Sequence, residues 1–537
     1  MSDKIFSAMI DCSRNGVMKP RQIKKFIDYI SAMGYNGLLL YTEDTYCIEN
    51  EPLFGYLRGS YTSDEIKDIV DYGEEKGVEI IPCIQTLAHL NQMFKWWRTY
   101  EGVRDTDDIL LIDEPRTYEL IENMFKSIRK SYKTNKVHIG MDEAHNVGLG
   151  KFLEKHGYQN RFEILTRHLQ RVVEIAKKYD FEPMMWSDMF FRLQSKGYYY
   201  NPDIIVDDKL KAGVPNEVSL VYWDYHTLTE EKYRAMIQAH EKFERSVWFA
   251  GGAWSWVGFT PGSTHNDVTL FRAMPVCREQ GVENVIITLW GDDGKECSFF
   301  ACLDTLLRAK MLYDGEDMSH FEAKFAEICG ISHEDYRSLL LPNQIDGNYD
   351  TAWMPSKYAL YNDPFVGYID AELVEGAGRE YAEFEKIIGE KGKGTFFEPI
   401  FKSQSALCGV LKNKYELGIH IRRAYQQGDR EALANCVMTI DEILIDLEKF
   451  YNAFSALYMW ENKPYGFEIQ DIRLGGLSRR LKSCKKRLVD YLEGIINEIE
   501  ELDERIIPVF DTDKGSQVKN VWCETWAKAV TVNILHH

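Results

Sequence analysis

The sequence predicts an α/β fold, a (β/α)8 barrel, followed by a mostly α-helical C-terminal domain. Three observations point there. Eight short apolar runs alternate with amphipathic helical patterns over roughly the first 310 residues, nearly every run ends in polar or aromatic residues, and strand-like runs all but vanish after about residue 315. The expected boundaries are therefore a barrel over 1–315 and a mainly helical domain over 316–537.

The runs fall at 5–10, 37–41, 78–84, 137–141, 183–186, 218–223, 247–250 and 285–290. They are rich in Ile, Val, Leu and Met at both parities, as parallel strands buried on both faces should be. Helical patterns lie between them, among others at 22–33, 63–76, 118–132 and 161–179. Eight strands alternating with helices is the count of a (β/α)8 barrel. A doubly wound open sheet is the alternative, but no Gly-rich phosphate fingerprint follows the first run. The run ends are polar or aromatic at 11–14, 41–44, 85–89, 142–143, 186–188, 222–225, 254–256 and 290–293. In barrels the carboxyl ends of the strands hold the active site.

Beyond residue 315, long helical patterns occupy 431–460 and 477–504. The second presents Leu477, Leu481, Leu488, Leu492 and Ile496 as an apolar stripe, with Lys and Arg clustered between Arg479 and Arg487 as a solvated face. Residues 460–476, including Asn462, Arg473 and Gly475, read as a helix–helix connection, with a role lining the cleft of this chain or a partner's as the alternative. The tail at 518–533 alternates enough for a strand or hairpin.

Composition narrows the function classes. Net charge is −20, from 84 acidic and 64 basic residues, which repels a phosphate backbone or an anionic membrane surface. No apolar run approaches the roughly 18 residues that cross a bilayer, so neither nucleic acid nor membrane is an expected partner. The N-terminus lacks a basic-then-apolar signal pattern. The 11 cysteines are odd in number and lack CxxC spacing, which suits reduced, buried thiols and a cytoplasmic protein. No cofactor and no metal site are expected, since no His, Asp or Glu spacing suits ligation. Aromatic residues make up 13% of the chain; they suit core packing first, and flat rings also cover the apolar face of a sugar.

The chemistry concentrates in His138-Ile-Gly-Met-Asp-Glu143, at the end of the fourth run. Breaking a glycosidic bond needs an acid for the departing oxygen and stabilisation of an oxocarbenium-like centre. Ordinary retaining enzymes place two carboxylates about 5–5.5 Å apart across the bond. Adjacent carboxylates suit a different scheme, in which a 2-acetamido sugar supplies its own nucleophile, the acetamide oxygen. One carboxylate then positions the acetamide while the other acts as acid and then base. Asp-Glu alone would fit a helix N-terminus equally well.

The surrounding pattern resembles glycoside hydrolase family 20, the β-N-acetylhexosaminidases, over roughly residues 5–310. HxGxDE is joined by Asp11-Cys-Ser-Arg14 after the first run, Tyr222-Trp-Asp224 after the sixth and Trp290-Gly-Asp292 after the eighth, with Trp186 and Trp254 or Trp256 after the fifth and seventh. The resemblance implies a retaining exo-β-N-acetylhexosaminidase acting on glycans with terminal β-linked GlcNAc or GalNAc. It implies Glu143 as acid/base and Asp142 as the group that polarises the acetamide, with Tyr222, or its neighbour Tyr225, bonding the acetamide oxygen. Trp186, Trp254 or Trp256, and Trp290 would wall the sugar, while Arg14, Asp224 and Asp292 would grip its outer hydroxyls. His89, with Asp44 or Glu43, would tune the acid. Adjacent Asp142 and packing against Trp would both favour the protonated acid.

Three features depart from the family pattern: Thr-Glu-Asp stands where many relatives carry two Asp, Thr86-Leu-Ala-His89 replaces Pro-Gly-His, and the barrel begins at about residue 5. The helical C-terminal half is similar to the streptococcal-type branch, which implies a possible homodimer. The competing readings are a catalytically silent carbohydrate-binding barrel and an O-GlcNAcase-like hydrolase, the latter disfavoured because those enzymes use adjacent aspartates. A metal-dependent hydrolase ranks below both.

Overall fold

A computed structural model describes residues 4–256, 258–345, 354–509 and 525–535. Eight strands close into a barrel in sequential order, every neighbouring pair parallel. They are β1 (Phe6–Asp11), β2 (Gly37–Thr42), β3 (Glu79–Ile84), β4 (Lys136–His138), β5 (Glu182–Trp186), β6 (Ser219–Asp224), β7 (Val247–Gly252) and β8 (Asn284–Leu289). β1 and β2 are buried at all six positions, which is why their sequences show no in–out alternation.

Helices return the chain between strands: α1 (Pro20–Ala32), α2 (Ser63–Glu75), α3 (Pro115–Arg129), α4 (Arg161–Lys178), α5 (Asp188–Gln194), α6 (Glu230–Glu241), α7 (Leu270–Glu279) and α8 (Leu303–Asp314). Their starts are written locally. α1 and α3 begin with proline, which loses no helical donor there, and Thr62 with Glu65 forms a reciprocal capping box on α2.

The register sets the strand ends level. Asp11 pairs with Tyr41, Tyr41 with Cys83, Cys83 with His138 and His138 with Met184. Residues just beyond these positions therefore gather at one end of the barrel. β4 is shorter than the expected 137–141, because Gly140 and Met141 take φ of +69° and +71°, off the strand conformation.

The chain divides into two compact units. One holds residues up to Ala253 with Asn266–Trp290 and Leu303–Phe321, and the other holds Trp254–His265, Gly291–Cys302 and the chain from Glu322 onward. The second unit is built on α9 (Ala377–Glu390), α10 (Glu398–Lys414), α11 (Leu417–Gln427), α12 (Arg430–Glu461) and α13 (Glu468–Leu492). The helix expected at 477–504 starts earlier, at Glu468, and stops at Leu492 before Gly494 in a left-handed turn; Glu500–Asp503 forms a separate turn of helix. In the basic cluster, Arg480 pairs with Asp363, Lys485 with Asp441, and Arg487 with Glu500 and Glu501. The expected 518–533 strand or hairpin lies partly outside the described residues; within them Trp526–Val530 is a short helix. No described helix is long and apolar enough to cross a membrane.

Candidate active site

The loop leaving β4 is held in an uncommon backbone shape. Met141 and Glu143 both take positive φ, +71° and +51°, and His89 across from them takes +57°. Non-glycine residues in that region cluster where surrounding contacts enforce them, characteristically at functional sites. The glycine of the motif has a definite reason: a Cβ on Gly140 would fall 2.0 Å from Gln85 Oε1. That oxygen accepts the Met141 N–H (3.2 Å), so Gln85 pins the loop from β3. Behind it, His138 is fully buried; its Nδ1 accepts the Gly140 N–H (3.1 Å), and burial pushes its pKa down to about 3, so the ring is neutral.

The two carboxylates differ sharply. Asp142 is 8% exposed, whereas the Glu143 side chain is 42% exposed. Gln85 Nε2 donates to Asp142 Oδ1 (2.9 Å), and His89 Nε2 lies 3.1 Å from Asp142 Oδ2 and 3.7 Å from Glu143 Oε2. Burial alone would raise the Asp142 pKa, but the His89 charge and the Gln85 bond outweigh it and hold the group down at about 2. Burial likewise opposes charge on His89, yet Asp142 lifts it to about 9. An ionised Asp142 facing an imidazolium is the resting state near neutral pH.

A second tier continues the network. Gln85 Nε2 also donates to the Tyr41 hydroxyl (3.0 Å), which donates to Glu43 Oε1 (3.1 Å). Burial raises Glu43 to about 7, with Arg14 and His89 opposing. Arg14 Nη1 bonds Asp11 Oδ2 (3.0 Å), and its guanidinium lies over the rings of Tyr41 (5.1 Å) and Trp290 (4.8 Å). Arg14 thus stands at the strand ends beside a tryptophan, with its charge held by Asp11. Asp44 is turned away into a pair with Arg58 (3.2 Å), and burial raises its pKa; Glu43 is the strand-two acid that faces His89 and Arg14.

The aromatic wall is continuous within the barrel unit. Trp186 packs on His138 (4.2 Å) and approaches Trp290 (6.2 Å), which meets Tyr41 edge-on (4.7 Å). Trp290 Nε1 donates to the Tyr225 hydroxyl (3.0 Å), and Tyr225 stacks on Trp223. Tyr222 points elsewhere. It is fully buried, its ring stacks on His240 of α6, and its hydroxyl donates to Asp224 Oδ2 (2.5 Å). Asp224 Oδ1 in turn accepts the N–H groups of His226 (3.0 Å) and Thr227 (2.9 Å). Tyr222 and Asp224, expected to touch the sugar, form a brace for the turn after β6, and Tyr225 is the tyrosine beside the tryptophans.

Trp254, Trp256 and Asp292 belong to the second unit. There Trp254 stacks on Trp256 (4.5 Å) and meets His265 edge-on (4.0 Å).

Gln85, Tyr41, Asp188 and Arg192 belong to the site although no sequence motif assigns them a role. Asp188 Oδ2 accepts the Glu143 N–H (3.1 Å) and the Arg192 Nε (3.0 Å), while Arg192 Nη2 lies 3.9 Å from Glu143 Oε1. Burial lifts Asp188 to about 7, with Asp142 adding to it. The available signal was the i,i+4 spacing of Asp188 and Arg192 in a helix starting at a strand end. Among the described residues no group of three or more His, Cys, Asp or Glu could hold a metal ion.

Fold and site together define a (β/α)8 barrel with a buried, ion-paired Asp next to an accessible Glu at its strand ends. Residues 7–236 match the catalytic-domain model of glycosyl hydrolase family 20, and residues 334–522 match the glycoside hydrolase 20C C-terminal domain; the chain belongs to glycoside hydrolase family 20. It is similar to Hexosaminidase D of Homo sapiens, 24% identical over 216 residues, covering 38% of this chain and 42% of that protein. Hexosaminidase D of Bos taurus is 24% identical over 237 residues, covering 42% and 62%. The chain thus spans less than two thirds of either relative. Among solved structures, the chitobiase of Flavobacterium johnsoniae aligns with a TM-score of 0.46 at 16% identity, over 93% of this chain and 73% of that one.

Proposed function

We propose that the protein is a retaining exo-β-N-acetylhexosaminidase that releases terminal β-linked GlcNAc or GalNAc by substrate-assisted catalysis. The observation that carries this reading is the inequality of the adjacent carboxylates: Asp142 is buried and held ionised by His89 at 3.1 Å, while Glu143 beside it reaches solvent. A permanently charged Asp142 suits an acceptor for the acetamide N–H and a counter-charge for the cationic intermediate. The acetamide oxygen attacks C1 as the C1–O bond to the departing unit breaks, and the Glu143 carboxyl proton goes to the departing oxygen. Water then attacks C1 of the oxazolinium, giving a proton to the Glu143 carboxylate as the C1–O bond to the acetamide opens. Two inversions give net retention.

In this reading Tyr225 takes the acetamide-binding role, since the Tyr222 hydroxyl is committed to Asp224. Trp186 and Trp290 shelter the reacting centre from water, and Arg14 bonds the outer hydroxyls. A cytoplasmic location and a homodimer belong to the same proposal. The odd number of cysteines suits a reducing compartment, and the likeness of the C-terminal half to the streptococcal-type branch suits a dimer. Fractionation and sedimentation test these two points.

The activity is tested by hydrolysis of an aryl β-GlcNAc beside the matched aryl β-glucoside, with Glu143→Gln as control. Cleavage of the first alone, lost in the variant, supports the reading. A folded protein that cleaves neither refutes it.

A further inference from the structure

A cavity of about 490 Å3 opens between the segment after β4 and helix α5, with Arg192, 3.9 Å from Glu143, in its wall. Its wall includes His145, Arg161, Arg192 and Lys196, together with Tyr158, whose ring is 74% exposed, and no carboxylate lines it. Three positive charges in one hollow run against the −20 charge of the chain. The two guanidinium groups are held in place. Arg161 Nε donates to the Val147 carbonyl (3.2 Å) and its Nη2 to the His145 carbonyl, while Arg192 Nη1 donates to the Gly197 carbonyl (3.2 Å). The carboxylates facing Arg192 are Asp188, at 3.0 Å, and Glu143, at 3.9 Å. Arg161 and Lys196 add charge beyond what that pairing absorbs.

The position matters as much as the charge. An acid that protonates the departing oxygen must have the departing unit on its own side, and Arg192 in the wall of this hollow stands 3.9 Å from Glu143 Oε1. On the hexosaminidase reading, we propose that this cavity binds the unit released from the terminal sugar and selects one carrying an anionic group, a carboxylate or a sulfate ester. Fixed guanidinium groups suit such oxygens geometrically, and the Tyr158 ring offers a face to the pyranose.

The test uses GlcNAc β-linked through the same hydroxyl to glucose, to glucuronate and to sulfated glucose. Turnover of at least one anionic disaccharide should exceed the neutral one in kcat/KM by about tenfold, the size of one charge-assisted hydrogen bond. That preference should shrink towards unity in Arg161→Gln/Lys196→Gln and at high ionic strength. Which arm responds tells carboxylate from sulfate. Lys196→Gln alone, at an exposed position, serves should the double variant misfold, and it should lower the same ratio. A wild-type preference for the glucose compound, or an anionic preference untouched by the variants, overturns the proposal. Calorimetry with methyl β-glucuronide, sulfated methyl β-glucoside and methyl β-glucoside scores the cavity without turnover. Tighter anion binding that the variants abolish, in a protein that releases no GlcNAc, supports the cavity and faults only the hydrolase reading; equal binding of all three overturns the cavity proposal.

Discussion

His89 Nε2 lies 3.1 Å from Asp142 Oδ2, and the His89 backbone is turned to φ +57° at the residue that makes this contact. The pair joins the segment after β3 to the segment after β4, and it holds Asp142 ionised. Glu143 lies 3.7 Å from the same nitrogen, and its side chain is open to solvent.

This pair sets a pH dependence of stability. The folded pKa of His89, about 9, lies above the ordinary 6.5, so its contribution is fully present below pH 6.5 and is lost as pH rises through about 9. Asp142, held at about 2 against an ordinary 3.8, contributes above pH 3.8 and loses that contribution as pH falls through about 2. Thermal melts of His89→Gln should therefore fall less steeply than wild type between pH 6.5 and 9. Parallel slopes would show that the pair does not form in solution.

Glu43 acts in the same direction by another cause. Burial raises it from 4.5 to about 7, so it contributes stability below pH 4.5 that is lost as pH climbs through about 7. Glu43→Gln keeps the shape and removes the titration. Its Tm should change less than that of wild type between pH 4.5 and 7, and an unaltered profile contradicts the burial argument.

Substitutions at the carboxylates should separate by substrate. Glu143→Gln should lower turnover by about 10²–10⁴-fold for poor leaving groups and much less for activated aryl glycosides, the signature of a lost general acid. Asp142→Asn should suppress both substrate types alike, because assistance by the acetamide accompanies either departure. Steady-state kinetics with two leaving groups distinguishes the patterns, and wild-type rates in either variant remove that residue from its role.

The two tyrosines after β6 should also part company. Tyr225→Phe should reduce kcat/KM by about tenfold, as loss of one hydrogen bond to the substrate would, beyond the stability lost when buried Trp290 Nε1 loses its acceptor. Tyr222→Phe removes the hydrogen bond to Oδ2 of buried Asp224 and should cost about 1–3 kcal/mol of stability. Denaturant melts beside kinetics decide this, and the reverse assignment would restore Tyr222 to the sugar.

Much of this was legible in the sequence because both-face burial leaves continuous apolar runs, and all eight strands emerged from them. The HxGxDE segment was legible for a similar reason: its residue types are tightly constrained, down to a glycine whose Cβ would meet Gln85. What the sequence could not supply is direction. The Tyr-x-Asp pattern favours Tyr222 with Tyr225 as the alternative, and only the fold turns the first towards α6 and the second towards Trp290. Gln85 and Arg192 went unassigned because their value lies in what they hold, Asp142 and Asp188, across strands that are distant in sequence. The end of β4 was overextended since apolar composition does not reveal the positive φ at Met141.

The proposed mechanism has the substrate's own acetamide attack C1 over an ionised Asp142. It is tested most directly with a series of aryl β-GlcNAc substrates whose acetyl group carries zero, one, two or three fluorines. Each fluorine weakens the carbonyl oxygen as a nucleophile while leaving the departing group unchanged. In wild type, log kcat/KM should fall steeply and monotonically along the series. A flat series in an active enzyme would contradict it, placing the nucleophile on the protein or on water instead.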